Sequence, residues 1–171
     1  PPQEARILEI GGGTCVNLLA MAAMWPGCDA HGFDLSETAI ARGQEIVDAA
    51  GLTNVTLAVE DIGEAHHRYP AGSFDYAIAH GVYAWVPDHV REATMRLAAH
   101  VLSDRGVAFI SYNAMPGGHV RMIMREMLLD AIGVIDDPDE RIAAVRDFLE
   151  DYARTRDGDE PLATTLRQQA G

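Results

Sequence analysis

Short apolar runs alternate with stretches of helical periodicity along the first part of the chain. Ile7, Leu8 and Ile10 form the first run, which predicts a buried strand over 6–10. Further runs predict strands at 30–33, 55–59, 74–79 and 107–111, the last preceded by a turn at 103–106. The intervening stretches predict helices at about 15–24, 36–50 and 87–102. This alternation predicts an α/β fold with a doubly wound, mostly parallel sheet.

The pattern changes after the fifth predicted strand. Apolar residues recur there at helical spacing, at Val120, Ile123, Met124, Met127, Leu128 and Ala131. Gly133 stops this helix, and Asp137-Pro138 opens another. The second helix carries one apolar face, made of Ile142, Val145, Phe148 and Tyr152. We therefore expect a core domain over residues 1–114 and a helical segment over 115–171.

A glycine turn separates the first predicted strand from the first predicted helix. Gly11-Gly12-Gly13 lets the backbone approach a ligand closely, and the following helix points its N-terminus at that ligand. Asp34 ends the second strand about twenty residues later, where a carboxylate suits the two hydroxyls of a ribose. These features predict a cofactor that contains a nucleoside. A nicotinamide dinucleotide is disfavoured, because Val16 stands where its fingerprint requires a glycine. The branched side chain of Val16 is expected to hold the helix off the strand.

The same turn carries an acid followed by alternating glycines. Glu9, Gly11 and Gly13 fit this pattern, and Cys15 takes the place of a third glycine. The run resembles motif I of the class I, Rossmann-like, S-adenosylmethionine-dependent methyltransferases. This resemblance implies S-adenosylmethionine as the cofactor and S-adenosylhomocysteine as the product. The acid and glycines of motif I would hold the methionine end of the cofactor.

The resemblance implies further cofactor-binding positions. Asp34 would bind the ribose, with Leu35 beside it. Asp61 would accept a hydrogen bond from the adenine amino group, and Ile62 would pack against the ring. Asn17, one turn into the helix, is a candidate for the cofactor carboxylate, with a solvent-facing asparagine as the alternative.

Two longer runs give a closer resemblance. Residues 80–87 are HGVYAWVP, and residues 111–119 are SYNAMPGGH. They resemble the methyltransferases with a C-terminal methyltransferase regulatory domain, which include rickettsial protein-lysine methyltransferases acting on outer-membrane protein. Ala84 and Gly118 depart from the family pattern, which has serine and tryptophan there. Membership implies the fold and the cofactor. It also makes 115–171 the start of a regulatory or substrate region, cut from a longer protein.

Candidates for methyl transfer follow the fourth and fifth strands. His80 would contact the cofactor or take a proton from an incoming amine, with a packing role as the alternative. Tyr83 and Trp85 would enclose the amine and its methylene stem, or pack under the next helix. The candidates after the fifth strand, in order of preference, are Tyr112, Asn113 and His119. His80, Tyr83 and Tyr112 are the catalytic candidates, whereas the others would bind the acceptor.

Charge and composition narrow the partners. The 171 residues carry a net charge of −13 and no lysine, so phosphate backbones would be repelled and nucleic acid is not an expected substrate. The absence of a membrane-length apolar run and of a secretory leader predicts a cytoplasmic protein without a membrane partner. Cys15 and Cys28 are expected to be reduced thiols. No metal site is expected, because His66-His67 has no cysteine or acid at ligand spacing.

Four functional hypotheses follow. The first is a methyltransferase acting on nitrogen or oxygen, with a protein lysine as one possible acceptor. The second is a small-molecule methyltransferase of secondary metabolism, which the acidic charge does not separate from the first. The third is a cofactor-binding module without catalysis, kept open by Cys15 and Gly118 and opposed by the intact acids. A nicotinamide-dependent dehydrogenase is the fourth, disfavoured by Val16. The oligomeric state stays open.

Overall fold

A computed structural model describes residues 2–114 and 118–155. The elements follow in the order 3₁₀ helix Pro2–Glu4, β1 Arg6–Ile10, α1 Val16–Met24, β2 Asp29–Asp34, α2 Glu37–Ala50, β3 Val55–Val59, 3₁₀ helix Ala65–His67, β4 Phe74–Ala79, α3 Asp88–Val101, β5 Leu102–Ile110, α4 His119–Ile132 and α5 Pro138–Thr155. Strands and helices alternate as far as β5, as the sequence predicts.

The strands of the described residues form one parallel sheet in the order β3-β2-β1-β4-β5. The chain steps outward from β1 to β2 and β3, then crosses back to place β4 on the other side of β1. This reversal of strand order confirms the doubly wound topology. In such sheets, ligands bind beyond the carboxyl ends of the strands, at the point of reversal. That point lies between β1 and β4.

Helices cover both faces of the sheet. On one face, α3 contributes Leu97, Ala98 and Val101 to a buried cluster with aromatic residues of the sheet and the loop before β4. On the other face, α1 and α2 contribute Leu18 and Ile40 to a second buried cluster. Burial on both faces explains why the central strands are nearly continuous in apolar residues. The frame leaves the turns at the carboxyl edge available for binding.

Local capping chemistry sets the helix boundaries. At the start of α2, the Ser36 hydroxyl accepts a hydrogen bond from the Ala39 amide at 3.2 Å. Gly51 ends α2 in the left-handed conformation, with φ 63°. At the start of α5, the Asp137 carboxylate accepts from two first-turn amides at 2.9 and 3.0 Å. These caps lie where the sequence predicts them.

The predicted start of the fifth strand is wrong. Residues 103–106 belong to β5 as an irregular segment and not to a turn before it. Leu102 pairs with Phe74 and Val107 with Tyr76, so these residues stand opposite Asp75 alone. A bulge accommodates such surplus residues in a strand. The polar sequence of the segment is typical of a turn and does not reveal the pairing of its two ends.

The chain divides into two compact units, with the boundary between Tyr112 and Asn113. In the second unit, Met124, Met127 and Leu128 of α4 are half-buried. Ile123 and Ile142, on the apolar faces of α4 and α5, are exposed in the described part of the chain. Residues 115–117 and 156–171, which belong to the expected helical segment, lie outside the described residues. No helix within the described ranges is long and apolar enough to cross a membrane.

Candidate active site

The turn after β1 has the backbone geometry that its glycines predict. Gly11 and Gly13 adopt φ angles of 63° and 58°, which residues with side chains rarely adopt. The Gly12 amide donates to the Phe33 carbonyl oxygen at 3.1 Å, which joins the turn to the end of β2. A Cβ atom on Gly13 would meet nothing within 4 Å. The turn therefore presents open backbone at the carboxyl edge of the sheet.

Asp34 ties the glycine turn to the start of α2. Its carboxylate accepts hydrogen bonds from the Gly13 amide at 2.8 Å and from the Ser36 amide at 2.9 Å, each through a different oxygen. A carboxylate has about four acceptor positions, so two such bonds leave capacity for ribose hydroxyls. The side chain is half-buried and remains reachable. Asp34 thus has a structural role beside the proposed ribose role.

Glu9 lies almost fully buried beneath the turn, with 1% of its surface exposed. The Leu18 amide donates to its carboxylate at 3.3 Å. Burial raises the pKa of Glu9, while hydrogen bonds from the Leu18 amide and the Asn17 side chain act in the opposite direction. Asn17 is thereby directed toward Glu9, although its side chain is also exposed. Its predicted contact with the cofactor carboxylate stays a prediction.

Cys15 fills the space between the turn, α1 and β2. It is fully buried and left-handed, with φ 56° and ψ 28°. A Cβ atom on Gly12 would lie 2.8 Å from its sulfur, and one on Gly32 would lie 2.7 Å from it. Burial raises the pKa of the Cys15 thiol to about 12, with the Glu9 carboxylate as a second cause. Both cysteines of the chain are buried free thiols.

The expectation that the Val16 side chain holds α1 off the strand is wrong. Val16 is 55% exposed and does not face the strand. Cys15 takes the inward position at the start of α1, and its sulfur is the atom that approaches β2. The spacing of the glycines still departs from the dinucleotide fingerprint at Val16.

The end of β3 carries the residues predicted for adenine. The Glu60 amide donates to the Asp34 carbonyl oxygen at 3.0 Å, which brings the following Asp61 to the same edge as Asp34. One Asp61 oxygen accepts from the Gly63 amide at 2.6 Å, which leaves the other for a ligand. Ile62 is half-buried against the α3-side core, and Leu35 is 69% exposed. An exposed apolar residue beside Asp34 suits one face of a planar ring.

The run after β4 packs onto the glycine turn. A Cβ atom on Gly11 would lie 3.0 Å from Val82, so Val82 closely covers the turn. The Gly81 amide donates to the Ser111 hydroxyl at 2.8 Å, which joins the ends of β4 and β5. The exposed His80 ring lies 6.0 Å from the Phe109 ring, centroid to centroid. The run over residues 80–87 and Ser111, which begins the second run, thus meet beside the glycine turn.

The remaining acceptor candidates differ in exposure. Trp85 and Tyr112 are 60% and 67% exposed, and Tyr83 is half-buried. The Tyr83 carbonyl oxygen accepts from the Arg91 side chain at 3.1 Å, which fixes the loop to α3. Exposure of large aromatic side chains at the carboxyl edge suits contact with a further molecule. Asn113 and His119 lie in the second unit and stay predictions.

Sequence reasoning missed three residues near this site. Gly32 accommodates the Cys15 sulfur, and a glycine inside a strand is the signal that could have identified it. Val82 lies within the HGVYAWVP run, but its contact with the turn depends on the tertiary fold. Phe109 contacts His80 because β4 and β5 pair in register, with Ile78 opposite Phe109. No spacing rule within one strand reveals that contact.

The comparisons with known proteins agree with this geometry. A family model described as a methyltransferase domain matches residues 7–106, which include the turn, Asp34 at the end of β2, Asp61 after β3, and the run after β4. The chain belongs to the class I S-adenosylmethionine-dependent methyltransferases. Its cofactor is therefore S-adenosylmethionine, and the open glycine turn and flanking acids fit that molecule.

Relatives of this methyltransferase occur in Rickettsia. The uncharacterized protein RP028 of Rickettsia prowazekii is 34% identical, over 99% of this chain and 68% of that protein. The uncharacterized protein RP789 of the same organism is 33% identical, over 99% of this chain and 30% of that protein. The structure of PKMT2 from Rickettsia typhi in complex with AdoHcy is 32% identical with a TM-score of 0.76, over 99% of this chain and 32% of that chain. The chain thus spans less than a third of two of these relatives.

Proposed function

We propose that this methyltransferase domain transfers a methyl group to a nitrogen acceptor, with the ε-amine of a protein lysine as the acceptor. The observation that carries the proposal is the meeting of two features at one edge. The glycine turn and Asp34 form a cofactor cradle. Residues 80–87, called the His80 loop below, pack directly onto this cradle through Val82. The resemblance of residues 80–87 and 111–119 to runs of the family that includes rickettsial protein-lysine methyltransferases supports lysine as the acceptor, and the likeness to PKMT2 of Rickettsia typhi agrees with that family.

The residues of the cradle would position the cofactor. When bound, S-adenosylmethionine supplies an activated methyl group. Gly11 and Gly13 shape the turn that holds the methionine end, with open space at Gly13, and Asp34 accepts from the ribose hydroxyls. The free oxygen of Asp61 accepts from the adenine amino group, and Ile62 packs against the ring. Because methyl transfer is an in-line displacement, this fixed placement is the main contribution expected from the protein.

The His80 loop would handle the acceptor. A lysine ε-amine is a nucleophile only after its ammonium loses a proton, and an exposed histidine is a suitable proton acceptor. His80 lies after the carboxyl end of β4, with the Phe109 ring 6.0 Å from its own, centroid to centroid. Trp85 offers an aromatic surface for the methylene stem and the cation. Tyr83 holds this loop to α3 through the bond to Arg91.

Cofactor binding is tested by calorimetric titration with S-adenosylhomocysteine. Asp34→Ala should abolish binding, whereas Glu45→Ala, which removes an exposed carboxylate of α2, should not. NADH serves as the competing ligand and should not bind. Failure of S-adenosylhomocysteine to bind to the folded chain would contradict the assignment of these residues to the cofactor.

Acceptor identity is tested by transfer of radiolabelled methyl groups. Lysine-containing protein should be labelled, and the same protein with its amines acetylated should not. His80→Ala should reduce the rate more than His89→Ala, which removes an exposed histidine of α3. Labelling of small amines or alcohols, with none of protein, would overturn the lysine assignment in favour of a small-molecule methyltransferase.

A further inference from the structure

A second cavity lies behind the residues predicted to contact adenine. It has a volume of about 380 Å³, and it lies between α3 and the loop that follows β3. Ile62, Ala93 and Leu97 provide apolar surface, while His66, Arg96 and His100 provide the polar side chains. This volume is within the range of about 300–1,000 Å³ that small-molecule sites occupy.

The described lining of this cavity contains an arginine and no acidic residue. The chain carries a net charge of −13, yet no carboxylate contributes to the described lining. Arg96 pairs with Glu92 at 3.4 Å, and both side chains are more than 70% exposed, so the pair is weak. A guanidinium has five N–H donors, which leaves Arg96 able to bind an anion as well. A guanidinium beside an apolar surface suits a carboxylate with an apolar body.

Hydrogen bonds connect the cavity to the adenine position. The His66 ring nitrogen Nδ1 contacts the Gly63 carbonyl oxygen at 3.0 Å, and this nitrogen must donate because a carbonyl only accepts. The Gly63 amide in turn donates to Asp61. Ile62, between Asp61 and Gly63, is also a wall of the cavity. A ligand that holds His66 and Ile62 would therefore restrict the turn that carries Asp61.

His100 completes the opposite wall. Its Nε2 donates to the Tyr69 carbonyl oxygen at 3.2 Å, and Tyr69 is 4% exposed in the core. The rings of His66 and His100 lie 6.5 Å apart and nearly perpendicular. Both rings are thus positioned by backbone carbonyls before a ligand binds. Such preorganisation reduces the entropic cost of binding.

We propose that this cavity binds a small carboxylate with an apolar body, and that its occupancy raises the affinity for S-adenosylmethionine through the turn from Asp61 to His66. The coupling depends on the proposed adenine role of Asp61 and Ile62, whereas binding of the carboxylate does not. Because coupling between two sites is reciprocal, the cofactor raises the affinity for the carboxylate by the same factor.

Phenylacetate is the probe, with neutral phenylacetamide and inorganic phosphate as comparisons. Titration without cofactor, followed by the NMR shifts of the Gly63 and Ala93 amides, should show binding of phenylacetate alone. Arg96→Gln should weaken it about fivefold, the loss expected for one partly exposed charged hydrogen bond. Arg42→Gln, which removes an exposed arginine of α2, should leave it unchanged. Ala93→Phe, which fills the cavity from α3 and keeps Arg96, should also prevent binding.

The outcomes distinguish binding of the carboxylate from its effect on cofactor affinity. Three outcomes would refute the proposal that the cavity binds a carboxylate. They are no binding of phenylacetate at millimolar concentration, equal binding of phenylacetamide, and no effect of Arg96→Gln. Binding of phosphate with the same dependence on Arg96 overturns the requirement for an apolar body. Calorimetry should then show S-adenosylhomocysteine binding at least about fivefold tighter with saturating phenylacetate. An unchanged affinity overturns the coupling, and loss of all S-adenosylhomocysteine binding refutes the cofactor residues but leaves carboxylate binding supported.

Discussion

Gly32 tests whether close packing beneath the glycine turn is essential to this fold. The residue is buried in β2, opposite Glu9 of β1. A Cβ atom there would lie 2.7 Å from the Cys15 sulfur and 2.8 Å from a methyl carbon of Leu18. Both neighbours are fully buried, so neither can move into solvent. Gly32→Ala is therefore expected to overpack the space between β2 and α1.

The expected loss of stability follows from the overpacking of this buried site. Overpacking of a buried site costs about 1–3 kcal/mol of the free energy of unfolding. Cys15→Gly removes one of the two obstructing side chains and relieves a left-handed conformation worth about 1 kcal/mol. Cys15→Gly also loses the burial of the thiol, which contributes about 1 kcal/mol. This variant alone is therefore expected to change the free energy of unfolding little. In the double variant, Leu18 still obstructs, and we expect a favourable coupling of about 1 kcal/mol.

Equilibrium urea unfolding of the wild type, both single variants and the double variant measures this coupling. Gly51→Ala is the matched control, because Gly51 has φ 63° and a Cβ atom there would meet nothing within 4 Å. It should cost about 1 kcal/mol from backbone conformation and show no coupling to Cys15→Gly. Additive effects of Gly32→Ala and Cys15→Gly would refute the packing explanation. Gly32→Ala should also weaken S-adenosylhomocysteine binding, since Leu18 bonds Glu9 below the turn.

Three further predictions concern the acids and the thiol of the site. Asp34→Ala should lower the free energy of unfolding by about 1–3 kcal/mol as well as cofactor affinity, since its carboxylate accepts from two backbone amides; unchanged stability in urea unfolding would contradict those bonds. Burial raises the pKa of Glu9 above 4.5, so the native state keeps this proton to higher pH than the unfolded chain, and stability falls as pH rises from 4.5 through the raised pKa. Glu9→Gln should remove that fall in stability. Parallel curves of unfolding free energy against pH for the wild type and Glu9→Gln would contradict the role of Glu9. The Cys15 thiol, with a pKa raised to about 12, should react with iodoacetamide only after unfolding, and mass spectrometry showing rapid modification of the folded chain would contradict this.

Most of the sheet could be predicted because its strands are buried on both faces. The apolar runs give β1, β3 and β4 their observed bounds, since each strand is bounded by turn residues or glycine. The start of β5 could not be obtained in this way. Residues 103–106 are polar, and their place in the strand depends on how Leu102 and Val107 pair with β4. Register against a partner strand is not contained in the local pattern.

The candidate site was predictable where it depends on chain order, and unpredictable where it depends on side-chain direction. Glu9, Asp34 and Asp61 reach one edge because parallel strands bring their carboxyl ends together. Val16 shows the limit of position counting. Its place in the motif is as counted, but the inward direction at the start of α1 belongs to Cys15. Packing of Val82 on Gly11 likewise depends on how two distant turns approach each other.

The departure at Cys15 has a structural compensation within the same site. A glycine at the contact between helix and strand in such a turn normally allows their close packing. Here the side chain at that position is present, and the facing position in β2 is Gly32, which leaves room for the sulfur. The glycine at this contact thus lies on the strand and not at the start of the helix. The Gly13 amide still donates to Asp34 at 2.8 Å. Because the turn keeps its geometry around the larger residue, Cys15 gives no physical reason to expect loss of cofactor binding, and the non-catalytic hypothesis loses one of its two supports.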